Sequence, residues 1–255
     1  MAEMTAYEPG TPSWVDLSSA DTKESAQFYG SLFGWEWAEA PDGGGYGMFS
    51  QGGKLIAGLG PIMQPGQPEA WTTYVSVADA DATAAKVTAA GGTVLMPPMD
   101  VLDVGRMAIF MDDGGAVIAA WQPRRHIGAE LVNEPVSLTW NELVSADIDK
   151  SKAFYGAVFG WEGDTNQMGP MTYTEWKLGG RTIGGMMALG PQLPEGTPPH
   201  WMTYWAVADT DATAAKVTEL GGTLMAPPTD IPPGRFAVIA DPHGAVSAVI
   251  RMANA

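Results

Sequence analysis

Apolar and polar positions alternate with a period of two over short stretches of this chain, and four times the alternation gives way to a helical period. Ser13-Trp14-Val15-Asp16-Leu17 predicts a strand. Ser18–Asp21 then opens a helix over about 22–32, with Asp21 as N-cap, Ala26, Tyr29 and Phe33 on one face, and Gly34 as the stop. Three strands follow, at 35–38, 46–50 and 54–62, separated by Gly43-Gly44-Gly45 and Gly52-Gly53. The order then recurs. A strand over 71–77 leads into an Ala-rich helix over 81–90 closed by Gly91-Gly92. Strands at 93–96, 106–111 and 116–121 complete it, with turns expected at Pro97-Pro98 and Asp113-Gly114-Gly115. The unit is βαβββ, used twice.

The second half repeats the first. FYGSLFGWE at 28–36 returns as FYGAVFGWE at 154–162, and ADADATAAKVTAAGG at 78–92 returns as ADTDATAAKVTELGG at 208–222. GRMAIFMDDGGAV at 105–117 returns as GRFAVIADPHGAV at 234–246. A period this long means two related modules rather than a solenoid of short repeats. The chain therefore reads as an N-terminal module over 1–122, a linker over 123–135 and a C-terminal module over 136–255, with four βαβββ units related by a pseudo-twofold axis. The linker carries Arg124-Arg125-His126, expected to be solvated.

Composition narrows the function. A 45% apolar content supports a packed core, and 32 Gly with 20 Pro suit short strands and turns. A formal charge of −16 argues against nucleic acid and anionic membranes as partners, since binding them needs clustered Lys and Arg. Cysteine is absent, which removes disulfides, thiolate metal sites and a Cys nucleophile. The opening segment MAEMTAYEPGTPSW shows no basic-then-apolar leader pattern, and no apolar run could span a bilayer, so a cytoplasmic location is expected. Ten Trp and fifteen Met supply polarisable contact surface.

The FYxxxFGW helix, the AxxxAAKVxxxGG helix and the DPxG-type hairpin, each after its strand, resemble the vicinal oxygen chelate superfamily, which includes glyoxalases, bleomycin resistance proteins and extradiol dioxygenases. The resemblance covers about residues 10–252. It implies an α+β fold in which tandem βαβββ units form two cup-shaped mixed β-sheet barrels. It also implies where catalytic members would hold a divalent ion. Those positions fall on Trp14 and Trp140, within 54–62 and 181–190 (neither segment containing Asp, Glu or His), on Thr72 and Met202, and on Ala119 and Ala248. None except Thr72 offers a hard cation an oxygen or imidazole ligand. The three histidines, His126, His200 and His243, sit in the linker, a Pro-rich loop and a turn. No metal and no other cofactor is therefore expected.

Trp14 and Asp16 share a strand face, as do Trp140 and Glu142. Thr72, Tyr74 and Trp121 are expected to line the first cup, and Met202, Tyr204 and Ile250 the second. Such walls suit a small aromatic or hydrophobic metabolite or antibiotic. Asp16 and Glu142 are the acid–base candidates if the chain is an enzyme of the lyase, dioxygenase or hydroxylase kind. A third possibility is that the aromatics simply fill both cups. Arg106 and Arg235 read better as turn-fixing than as partners of those acids. The expected partner is a small molecule, with the chain a monomer or homodimer.

Overall fold

A computed structural model describes residues 2–41, 43–64, 66–168, 171–191 and 193–253. A short strand, β1 (Ala2–Glu3), precedes the first unit: β2 (Pro12–Ser19), α1 (Thr22–Phe33), β3 (Glu36–Glu39), β4 (Gly47–Gln51) and β5 (Lys54–Pro61). The second unit is β6 (Ala70–Ser76), α2 (Ala80–Ala89), β7 (Thr93–Val101), β8 (Gly105–Met111) and β9 (Val117–Pro123). After β10 (Leu131–Val132) come β11 (Leu138–Ser145), α3 (Ile148–Phe159), β12 (Glu162–Met168), β13 (Met171–Leu178) and β14 (Arg181–Ala188). The last unit is β15 (His200–Ala206), α4 (Thr210–Glu219), β16 (Thr223–Ile231), β17 (Gly234–Ala240) and β18 (Val246–Met252).

Local chemistry sets the helix ends. Each helix is preceded by an Asp whose carboxylate accepts backbone N–H groups of the first turn: Asp21, Asp79, Asp147 and Asp209. Gly34 and Gly160 then end α1 and α3 with φ of 78° and 76°, a left-handed conformation that costs glycine little. The first module forms one sheet in the order β3-β4-β5-β2-β6-β9-β8-β7, and the second repeats it as β12-β13-β14-β11-β15-β18-β17-β16. The sheets are open and cup-like rather than closed barrels, because each path ends on two unpaired edges.

The Pro97-Pro98 turn is a misreading. Both prolines lie inside β7, an edge strand whose pairing with β8 slips between Met96 and Met99. An edge tolerates proline because the missing N–H leaves no ladder bond unmade on the open side.

Alternation along the strands separates two environments. Val15 and Leu17 point to one face and join α1, Trp35 and Phe49 in a core that also holds Trp205, Val217, Ile239 and Val249 of the fourth unit. A matching core joins the second unit to the third through Val87, Phe110, Ile118, Phe154, Trp161, Trp176 and Trp201. Each core is thus built from both modules. Trp71 and Trp205 meet edge-on at 4.9 Å across the seam. The Tyr155 hydroxyl donates to Asp112 Oδ2 at 2.8 Å and accepts from Trp201 Nε1 at 2.8 Å. Its counterpart Tyr29 does the same with Asp241 and Trp71, at 3.2 and 3.1 Å. The opposite face of each sheet, carrying Trp14, Asp16, Trp140 and Glu142, is left to form the cups.

Candidate functional site

In both cups the floor is a carboxylate clasped by two tyrosines. In the first, Asp16 on β2 stands opposite Thr72 of β6 and Gly58 of β5. Tyr74 donates its hydroxyl to Asp16 Oδ2 at 2.9 Å, and Tyr46 approaches the same oxygen at 3.5 Å. Trp14 Nε1 donates to the Tyr46 hydroxyl at 3.2 Å. In the second, Glu142 stands opposite Met202 and Gly185. Tyr204 donates to Oε1 at 2.8 Å and Tyr173 to Oε2 at 2.6 Å, while Trp140 Nε1 donates to the Tyr173 hydroxyl at 3.0 Å.

The glycines of β5 and β14 explain how the tyrosines fit. A Cβ on Gly58 would run into the Tyr46 hydroxyl, and one on Gly185 into that of Tyr173. Each phenol crosses a strand where only glycine leaves room. β5 and β14 are among the strands on which the resemblance places a metal ligand in catalytic members.

Burial dominates the electrostatics. It raises Asp16 from 3.8 to about 6, against the lowering pull of its bonds from Tyr74 and Tyr46. Glu142, 6% exposed, is raised for the same reason against Tyr173 and Tyr204. The phenols go up too, by burial first and by the neighbouring carboxylate second, so they remain donors. A carboxylate in this setting can take a proton from a ligand hydroxyl, or hold that hydroxyl in place of a tyrosine.

The aromatic and apolar candidates for the cup walls gather in two clusters, one per module. Trp14, Tyr74 and Trp121 form one apolar cluster with Ala119 and Ala129. Met202, Tyr204 and Ile250 form the other with Ala248, Trp140 and Phe236. Thr72 lies beside Asp16, where the second cup has Met202 over Glu142. Tyr46 and Tyr173 were missed. Each reaches its carboxylate from 30 or 31 residues away in the chain, over a glycine, Gly58 or Gly185, that pairs with Met48 or Glu175 rather than with the tyrosine.

Arg106 and Arg235 do not reach the acids. Arg106 pairs with Asp81 at 2.8 Å and Asp100 at 3.1 Å, and Arg235 with Asp211 at 2.6 Å and Asp230 at 3.0 Å, tying each helix start to its hairpin. His243 lies 3.0 Å from Glu24 and 3.7 Å from Glu69, away from both cups, and His200 caps a loop through Pro198 O. The linker departs from expectation. His126 is only 9% exposed, its ring edge-on to Trp14 at 4.5 Å and to Trp121 at 5.4 Å.

The donor set does not fit a metal of the family type. Among the described residues no three of His, Cys, Asp and Glu gather as a possible metal site. Each cup floor has one carboxylate, bonded by two phenols.

The description "Glyoxalase/Bleomycin resistance protein/Dioxygenase superfamily" matches residues 11–120 and again 137–248. The chain belongs to that superfamily. It is 44% identical over 262 residues to "Putative glyoxylase CFP32" of Mycobacterium tuberculosis, covering 99% of each chain. It is 40% identical to "Anthracycline biosynthesis protein DnrV" of Streptomyces peucetius, covering 98% of this chain and 96% of that one. Among solved structures it is similar in fold to an Mn(II)-bound glyoxalase from Novosphingobium aromaticivorans, with a TM-score of 0.66 at 15% identity, covering 95% of this chain and 82% of that one. No helix among the described residues is long and apolar enough to cross a membrane.

Proposed function

We propose that this superfamily member binds a small, flat aromatic or hydrophobic ligand in its second cup, without a metal. The observation that carries the reading is the asymmetry of the two tryptophans. Trp14 is 3% exposed beneath the linker, whereas Trp140, with the same hydrogen bond to its tyrosine, stays partly open beside Phe236, Ile231, Val238 and Val246. At the ends of β16, β17 and β18 an open hollow of about 420 Å³ runs along Asp230, Gly234, Arg235, Arg251, Met252 and Ala253, and shares only Ile231 with the cup. At the matching place in the first module Arg124 bonds Asp100 at 2.8 Å. A stacking wall with few polar anchors suits a polycyclic aromatic ligand. The DnrV likeness makes anthracyclines and their precursors the first ligands to try.

Saturable quenching of Trp fluorescence by such a ligand, lost in Trp140→Ala and kept in His200→Ala, is the expected result. Equal quenching in Trp140→Ala would refute the placement. A second reading has one observation in its favour: Asp16, held near 6, is poised for proton transfer close to neutral pH. In that case turnover of an aromatic metabolite would fall at least tenfold in Asp16→Asn while binding survives.

A further inference from the structure

The linker between the modules does more than connect them. Its backbone is fastened to three sides of the first cup. Arg124 N and His126 N both donate to Val104 O at 3.1 Å. Ala129 N donates to Ser13 O on β2 at 2.8 Å, and Glu130 N to Leu55 O on β5 at 2.7 Å. Leu55 N answers to Glu130 Oε2 at 2.9 Å, and Tyr7 donates its hydroxyl to Ala129 O at 2.7 Å. Gly128 has φ 114°, and any Cβ there would strike the Ser13 carbonyl, so the close approach is specific to glycine.

This strap lays the His126 imidazole between Trp14 and Trp121. Trp121 Nε1 donates to His126 O at 2.7 Å, which fixes the ring's backbone against the wall. Nε2 of the imidazole is buried and has no hydrogen-bond partner. Burial also pushes the imidazole down to about 4, against the pull of Glu130, so it sits there neutral. A buried nitrogen with no partner is costly, and a purely structural plug would be better served by an apolar side chain. In the second module Ala253 N bonds Pro233 O, the counterpart of Arg124 N on Val104 O.

We propose that the first cup is a second aromatic-ring site whose built-in occupant is the His126 imidazole. A free flat heteroaromatic ring of that size takes its place when the side chain is removed. The proposal does not depend on what the second cup binds.

The test is chemical rescue with imidazole itself. His126→Ala should lower Tm by roughly 5 °C or more, as expected of a large-to-small change at a buried site. Imidazole should then raise the Tm of the variant saturably, by a few degrees at concentrations well above its Kd. Wild type and His200→Ala should show no such rise. If His126→Ala does not fold in buffer, refolding it with and without imidazole replaces the melt, and recovery only with imidazole supports the site. His126→Phe keeps the cup filled without the stranded nitrogen; it should melt no lower than wild type and ignore imidazole. An imidazole response equal in His126→Ala, His126→Phe and wild type, or absent from all three, overturns the proposal.

Discussion

Replacing Asp16 by Asn tests the cup floor where its energetics are most legible. The carboxyl is raised from 3.8 to about 6, by burial first, with the bonds from Tyr74 and Tyr46 pulling the other way. The folded state therefore holds its proton more tightly than the unfolded chain. Stability from this group is fully present below about pH 4 and is lost as pH rises towards 6, where the folded carboxyl ionises. The size follows from the gap between the two values: about 3 kcal/mol of unfolding free energy disappears across that window and does not return at higher pH. Asn keeps an acceptor for Tyr74 but cannot ionise. Urea unfolding of both proteins from pH 4 to 8, followed by circular dichroism, should give a difference that grows with pH. Asp16→Asn gains about 3 kcal/mol on wild type between pH 4 and pH 7. Subtraction removes the other carboxyls, including the raised Asp241 and the lowered Asp21, which both proteins share. A difference independent of pH would refute a desolvated Asp16.

Glu142→Gln should show a pH-dependent gain of the same sign, since burial raises Glu142 as well. Tyr155→Phe strands the buried Asp112 oxygen and the Trp201 N–H, and is expected to cost about 2–3 kcal/mol in urea unfolding; Tyr29→Phe, with longer bonds, should cost less. Both should still unfold in one transition, because each core contains residues of both modules. Gly185→Ala should displace Tyr173 from Glu142, at a cost of about 1–3 kcal/mol, and weaken ligand quenching with it. Arg106→Ala removes only solvent-screened ion pairs and should leave the urea midpoint nearly unchanged in the same assay.

Much of this was legible from residue order. The Asp21 cap, the terminal Gly34 and the strand alternation are local signals; alternation puts Trp14 with Asp16 and Trp140 with Glu142 on one strand face, and the family resemblance implies that this face lines the cups. Pro97-Pro98 misled because a proline pair marks a turn unless the strand is an edge, and edge status depends on the whole sheet. Tyr46 and Tyr173 reach the carboxylates across a neighbouring strand, so only the pairing register reveals them. His126 was hardest. A polar residue beside two arginines reads as solvated, and its burial depends on the strap's bonds to Ser13, Leu55 and Val104, three places far apart in the chain.

Calorimetric titration of chelator-treated protein with planar polycyclic aromatics, alongside elemental analysis of the same sample, tests the central claim most directly. The account predicts one binding site per chain, unchanged by stripping or adding divalent metal and abolished by Trp140→Ala. Binding that appears only with stoichiometric metal, or two equal sites in the wild-type chain, would contradict it.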